Sequence, residues 1–177
     1  MEGIIFSLGI GVVSGILSGL AASYLFLSLY LSKKRPKIVV SNFICKNKLD
    51  GETFYWFKIV NKTDTEVFDV RIEISMYKPV GDTNGRNLRG RDIKLKDDYL
   101  AFMAKSSVFD SHNLHAVRLR TPDDLETEWV DDSSFIRLSI IAKHSLSGLS
   151  STFSHDFNSR DCITEKKFKS GDDLSVS

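Results

Sequence analysis

GIIFSLGIGVVSGILSGLAASYLFLSLYLS, residues Gly3–Ser32, carries no charged side chain and stops abruptly at Lys33-Lys34-Arg35-Pro36-Lys37. A helix of that length rises about 45 Å at about 1.5 Å per residue, enough to cross a hydrocarbon core of about 30 Å. Two crossings need about 20 residues each, so the stretch predicts one spanning helix. A cleaved signal peptide would begin with positive charge and carry a shorter apolar run. Here the only early charged side chain is Glu2, and Leu25, Phe26, Leu27, Leu29 and Leu31 continue past the cleavage-like Ala21-Ala22-Ser23. A buried core helix would need a matching apolar surface elsewhere in the chain, and none is evident.

The flanks orient the helix. No Lys or Arg precedes it, whereas Lys33, Lys34, Arg35 and Lys37 crowd its far end at the membrane surface. The positive-inside bias therefore places the larger C-terminal part in the cytoplasm and the N-terminus outside, as in a bacterial inner membrane. Tyr24 and Tyr30 lie toward the basic end, where aromatic rings favour the interface. Two widely separated cysteines, Cys45 and Cys162, suit a reducing compartment. Asn61-Lys62-Thr63 matches a glycosylation sequon, which has no meaning on a cytoplasmic domain.

Within the helix Ser7, Gly11, Gly15, Gly19 and Ser23 recur at every fourth position. Gly11, Ser14, Gly15, Ser18, Gly19 and Ala22 fall on one arc of about 140°, taking about 100° per residue. Apolar bulk drives no association in lipid, so helices meet where small side chains let backbones approach. This face, Ser7 included, predicts self-association or docking against another membrane helix. The span holds no ionisable residue, which argues against an ion or proton pathway built from buried charges.

Beyond Pro36 the chain is the size of one domain. Alternation marks strands. Phe68, Val70, Ile72, Ile74 and Met76 read as one face of a strand, with Val67, Asp69, Arg71, Glu73 and Ser75 on the other. Phe54–Val60 is aromatic and β-branched on both faces, as in a central strand. Asn61–Asp64 between these runs reads as a hairpin turn. Ile136, Leu138, Ile140 and Ala142 line a third strand, and shorter candidates are 38–44, 92–96, 116–120 and 151–157. Strands at this spacing predict an antiparallel sandwich, immunoglobulin-like in general form although the Cys–Trp–Cys hallmark is absent. The chain thus divides into a short non-cytoplasmic tail (1–2), one transmembrane helix (3–32), a basic juxtamembrane segment (33–37), a cytoplasmic β-sandwich (38–168) and a flexible tail (169–177, frayed from Gly171). So short a juxtamembrane segment predicts a domain held close to the bilayer.

Chemistry is sparse. There is no phosphate-cradling glycine loop, no G-x-S-x-G elbow and no H-E-x-x-H. His112 and His115 form an enzyme site only if they converge with Asp110 and Asp156. His144 and His155 would face each other only if their strands pair in register. Cys45 and Cys162 read as small buried hydrophobes. No metal or cofactor set stands out. A net charge of +1 gives no reason to expect DNA binding. Arg86, Arg89, Arg91, Lys94 and Lys96 form a basic segment, read as a glycine-containing loop able to offer guanidinium forks to phosphate. Asp123, Asp124, Glu126, Glu128, Asp131 and Asp132 form an acidic counterpart without EF-hand spacing. The two segments are expected to pair, within one molecule or between subunits.

These features leave three expectations. The first is a non-enzymatic single-pass membrane protein whose β domain binds a partner or ligand while its helix self-associates in the lipid. The second is an effector whose β domain senses a nucleotide-type signal and whose helices then disturb the membrane. Its layout resembles that of small bacterial anti-phage effectors, in which a nucleotide-sensing domain controls membrane helices. The third is an enzyme with an unrecognised site.

Overall fold

The computed structural model describes residues 2–33, 35–81, 87–107 and 112–177, with helix side chains described at Gly3 and 9–31. The chain forms two units, 1–35 and 36–177. The first is helix α1, Glu2–Lys33. Within it Gly9–Leu31 is long and apolar enough to cross a membrane. The Ser18 hydroxyl donates to Gly15 O at 3.0 Å, so this polar group is satisfied inside the helix. Phe26 and Tyr30 stack one turn apart at 6.1 Å. Pro36 lies just beyond, and its ring disfavours helical geometry in the residue before it.

The second unit is two facing sheets. Sheet one contains β1 (Ile38–Val40), β2 (Ile44–Leu49), β3 (Glu52–Asn61), β7 (Ala116–Thr121) and β10 (Ile163–Thr164). Strand β3 is central: β7 pairs along one edge, while β1 and β2 share the other. Asp50 and Gly51, both with positive φ, close β2 onto β3 as a two-residue hairpin. Strand β10 adds parallel to β2, and the other pairings are antiparallel. Sheet two contains β4 (Val67–Val80), β5 (Asn87–Ile93), β6 (Tyr99–Met103), β8 (Phe135–His144) and β9 (Ser150–Phe157). Here β4 and β8 are central, β9 flanks β8, and β5 and β6 divide the free edge of β4.

Alternation holds where the sequence is most regular: Ile136, Leu138, Ile140 and Ala142 of β8 are buried against Val70, Ile72, Ile74 and Met76 of β4. Phe57 of β3 meets Phe157 of β9 edge-on at 5.7 Å, joining the sheets through one core. A short helix α2 (Leu125–Glu128) plugs this core with Leu125 and the adjacent Trp129, whose indole donates to Ser134 O at 3.0 Å.

Five expectations change. Asn61–Asp64 is not a hairpin turn, because β3 and β4 belong to different sheets. Asn61 is buried at this corner, donating to Thr65 O, Met103 O and Ala104 O while accepting from Thr63 N. The sequon's asparagine is consumed by the fold. The burial phase of β4 shifts between Phe68 and Arg71, where Asp69 takes φ 49° in a bulge, so Val67 is buried and Phe68 exposed. The run 38–44 breaks after Val40 into two strands, and the basic segment is largely a paired edge strand. Finally, the tail expected to be flexible over 169–177 forms, with 165–168, a hydrogen-bonded strap. Lys167 and Ser177 exchange backbone hydrogen bonds, Phe168 pairs with Val176, and Gly171 (φ 63°) sits between these arms. This strap lies on the outer face of sheet one.

Candidate functional site

On the helix, a Cβ built at Gly11, Gly15 or Gly19 meets nothing within 4 Å, so the small-residue face is open. Ser14, Ser18 and Ala22 are exposed beside it. Ser7 lies where side chains are outside the described residues, as do Lys33 and Lys34, whereas Arg35 and Lys37 are exposed.

The basic segment is engaged elsewhere than in a phosphate cradle. Arg86 lies outside the described residues. Arg89 and Arg91 stand on edge strand β5, where cations discourage edge-to-edge pairing. Arg91 is ion-paired to Glu128, and the Lys94 amide donates to Asp123 at 3.1 Å. Lys46–Glu126 (2.5 Å), Lys78–Asp131 (3.3 Å) and Arg160–Asp132 (3.1 Å) occupy the rest of the acidic run, and Asp124 caps α2 while accepting from Tyr55 Oη at 2.9 Å. The pairing expected between basic and acidic segments therefore occurs within one molecule.

The histidines do not assemble a catalytic group among the described residues. His115 is buried against Asp172 at 2.5 Å, and His112 is exposed. Asp110 lies outside the described residues. Asp156 stands on sheet two, gripped by Arg137 through two bonds of 2.7 Å. His155 lies opposite Leu138, at the other end of the β8–β9 ladder from His144, so the two rings do not face. Burial pushes the Cys45 thiol up to about 11 and that of Cys162 to about 12, which leaves both protonated and unreactive near neutrality.

The most unusual chemistry is on the outer face of sheet one. Residues 54, 56 and 58 of β3 alternate outward and meet outward residues of β7: Trp56 faces Arg120, and Lys58 faces Arg118. The guanidinium of Arg120 lies over the Phe54 and Trp56 rings at 5.2 and 5.3 Å. Lys58 and Arg118 place like charges directly opposite, an unfavourable cross-strand arrangement. Lys58 is 1% exposed. Its ammonium donates to Lys169 O at 2.7 Å and Asp173 O at 2.6 Å, and Arg118 Nη2 donates to Phe168 O at 3.0 Å and Lys169 O at 3.4 Å. Among the described residues neither cation is ion-paired to a carboxylate. Burial first, and then the Arg118 charge, holds the Lys58 ammonium below the usual lysine range.

The strap is fastened around this pair. Asp172 meets Lys62 at 2.7 Å, His115, and Ser106 at 3.2 Å, while Ser41 Oγ donates to Leu174 O at 2.6 Å. Two hollows flank it. A cleft of about 630 Å³ is bordered by Lys58, Arg118, Phe102, His112, Leu114 and strap residue Gly171. A groove of about 190 Å³ runs past Cys45, Trp56, Arg118 and Phe168. Sequence reading missed Lys58 and Arg118. The one available signal was a lysine within the otherwise apolar and aromatic run 54–60. No protein-family model matches this chain, and no curated protein matches it.

Proposed function

We propose that the chain is a non-enzymatic, single-pass membrane protein whose cytoplasmic β domain binds a ligand or partner and whose helix self-associates through Gly11, Gly15 and Gly19. The observation that carries this reading is an apolar helix with its side chains exposed, attached to a domain that closes its own core without it. Such a surface is stable in lipid or against another helix. The basic flank favours an N-terminus outside and the domain inside.

The test is the mass of the detergent-solubilised chain by light scattering with detergent correction, beside a Gly11→Leu/Gly15→Leu/Gly19→Leu variant. An oligomer that becomes a monomer in the variant supports helix association. Equal masses overturn it. A second reading, a bacterial defence-type effector that oligomerises and disrupts the membrane after sensing a phosphate-bearing signal, is favoured by the Lys58–Arg118 pair, which among the described residues touches no carboxylate. It predicts growth arrest on expression that the triple variant relieves.

A further inference from the structure

We infer that the cleft beside Lys58 and Arg118 is a binding site for a small organic oxyanion, its phosphate or carboxylate on the two cations and its body against Phe102, Leu114 and Val117. This rests on the reading of the β domain as a ligand-binding module and names where the ligand sits. Three observations lead there.

First, the pair is electrostatically unfinished. Two like charges face each other across adjacent strands, one fully buried, and among the described residues their direct partners are carbonyl oxygens, with the Asp172 and Asp173 carboxylates acting on Lys58 only from a distance. Carbonyl dipoles solvate a cation without cancelling its charge, so an anion entering here gains attraction from both.

Second, donors remain. An ammonium has three protons, and Lys58 places two on the strap. A guanidinium has five, and among the described residues Arg118 bonds only through Nη2. Arg118 is exposed, so its remaining edge can take an oxyanion with both oxygens while the strap stays closed.

Third, the cleft matches the ligand in sign and size. Lys58, Arg118 and His112 line it together with Asn113 and Ser170, and among the described residues no carboxylate does. Its volume of about 630 Å³ falls in the range of about 300–1,000 Å³ typical of small-molecule sites and far exceeds a bare phosphate. Phe102, Leu114, Ala116 and Val117 supply an apolar wall, and Phe102 and Leu114 are otherwise exposed to water.

The experiment is titration of the full chain in uncharged detergent micelles with phenyl phosphate, inorganic phosphate and benzoate, read by calorimetry and by ³¹P or ¹H line broadening. The expected result is saturable binding of phenyl phosphate, tighter than inorganic phosphate, and weakened at least tenfold by Arg118→Gln. Arg118→Lys should recover part of the affinity, since charge returns without the fork. Arg89→Gln, on the edge of sheet two, should change nothing. Benzoate binding more tightly than phenyl phosphate would assign the anion as a carboxylate and leave the site standing. The inference is overturned if none of the three binds saturably, or if binding survives Arg118→Gln and is lost in Arg89→Gln. In the latter case the domain is still a ligand-binding module. The mass of the same samples reports helix association separately.

Discussion

Replacing Lys58 by Met removes the ammonium that ties the strap to sheet one while keeping most of the side chain's apolar bulk. Hydrogen bonds with one charged partner net about 1.5–3 kcal/mol each, so the bonds to Lys169 O and Asp173 O together contribute about 3–6 kcal/mol to strap closure. Part of this is offset, because Met avoids the cost of burying a charge and relieves repulsion from Arg118. A net loss of about 2–4 kcal/mol remains, a factor of about 30 to 1,000 in the opening equilibrium. The change should be local, since the freed carbonyls reach water when the strap lifts and the core between the sheets is untouched. Hydrogen exchange by mass spectrometry on the full chain in micelles reads this directly. The bonded amides of Lys167, Lys169 and Ser177 should exchange about 30 to 1,000 times faster in Lys58→Met, with peptides from β4 and β8 unchanged. Equal strap exchange in the two proteins would refute the ammonium as the latch. Uniform acceleration across the domain would show that Lys58 supports the whole fold instead.

Acid should open the same strap. Asp172 is held below the ordinary carboxylate range mainly by its bond from Lys62, and Asp173 is brought to about 2 by hydrogen bonds from Ser175. A carboxylate with a depressed folded pKa contributes stability above its unfolded pKa and loses it as pH falls through the folded value. Strap protection should therefore be level near neutrality and fall from about pH 4 downward, as exchange corrected for intrinsic rate would report. Phe168→Ala removes a buried ring beside Cys45, a loss of about 1.5–3 kcal/mol in strap closure. Alkylation of Cys45 by iodoacetamide should then accelerate about 10- to 150-fold, and an unchanged rate would separate the ring from the thiol's protection. Asp69→Val forces a β-branched residue into a left-handed backbone and discards the ion pair with Lys143. It should lower the unfolding midpoint by several degrees, with Asp69→Asn, which tolerates that backbone, losing much less.

Legibility in the sequence followed the length scale of the interaction. Strand β8 was readable because each side chain's fate depends on the pleat alone, so Ile136 to Ala142 alternate as they fall. Strand β4 was readable except where it bulges, since Phe68 and Val70 look in phase until Asp69 inserts a residue. The hairpin at Asp50-Gly51 carried its own local signal and was overlooked. The outer site was not legible, because Lys58 and Arg118 become neighbours only through the β3–β7 register, and nothing local dictates that pairing. The strap shows the same limit more strongly. Its sequence is polar and has no period, and it is ordered by carbonyls that find cations on a sheet formed by distant residues.

The strand edges carry a consequence for life at a membrane. Confinement by associating helices would raise the local concentration of β domains to about the millimolar range, where open strand edges invite fusion. Here β5 presents Arg89 and Arg91, β7 presents Arg118 and Arg120, β9 is rich in serine, and β10 is only two residues long. Cationic or very short edges would keep neighbouring domains from adding strand to strand, crowded but unmerged. Clustering would then rest on the helices, and altering their glycine face would release the domains unmerged.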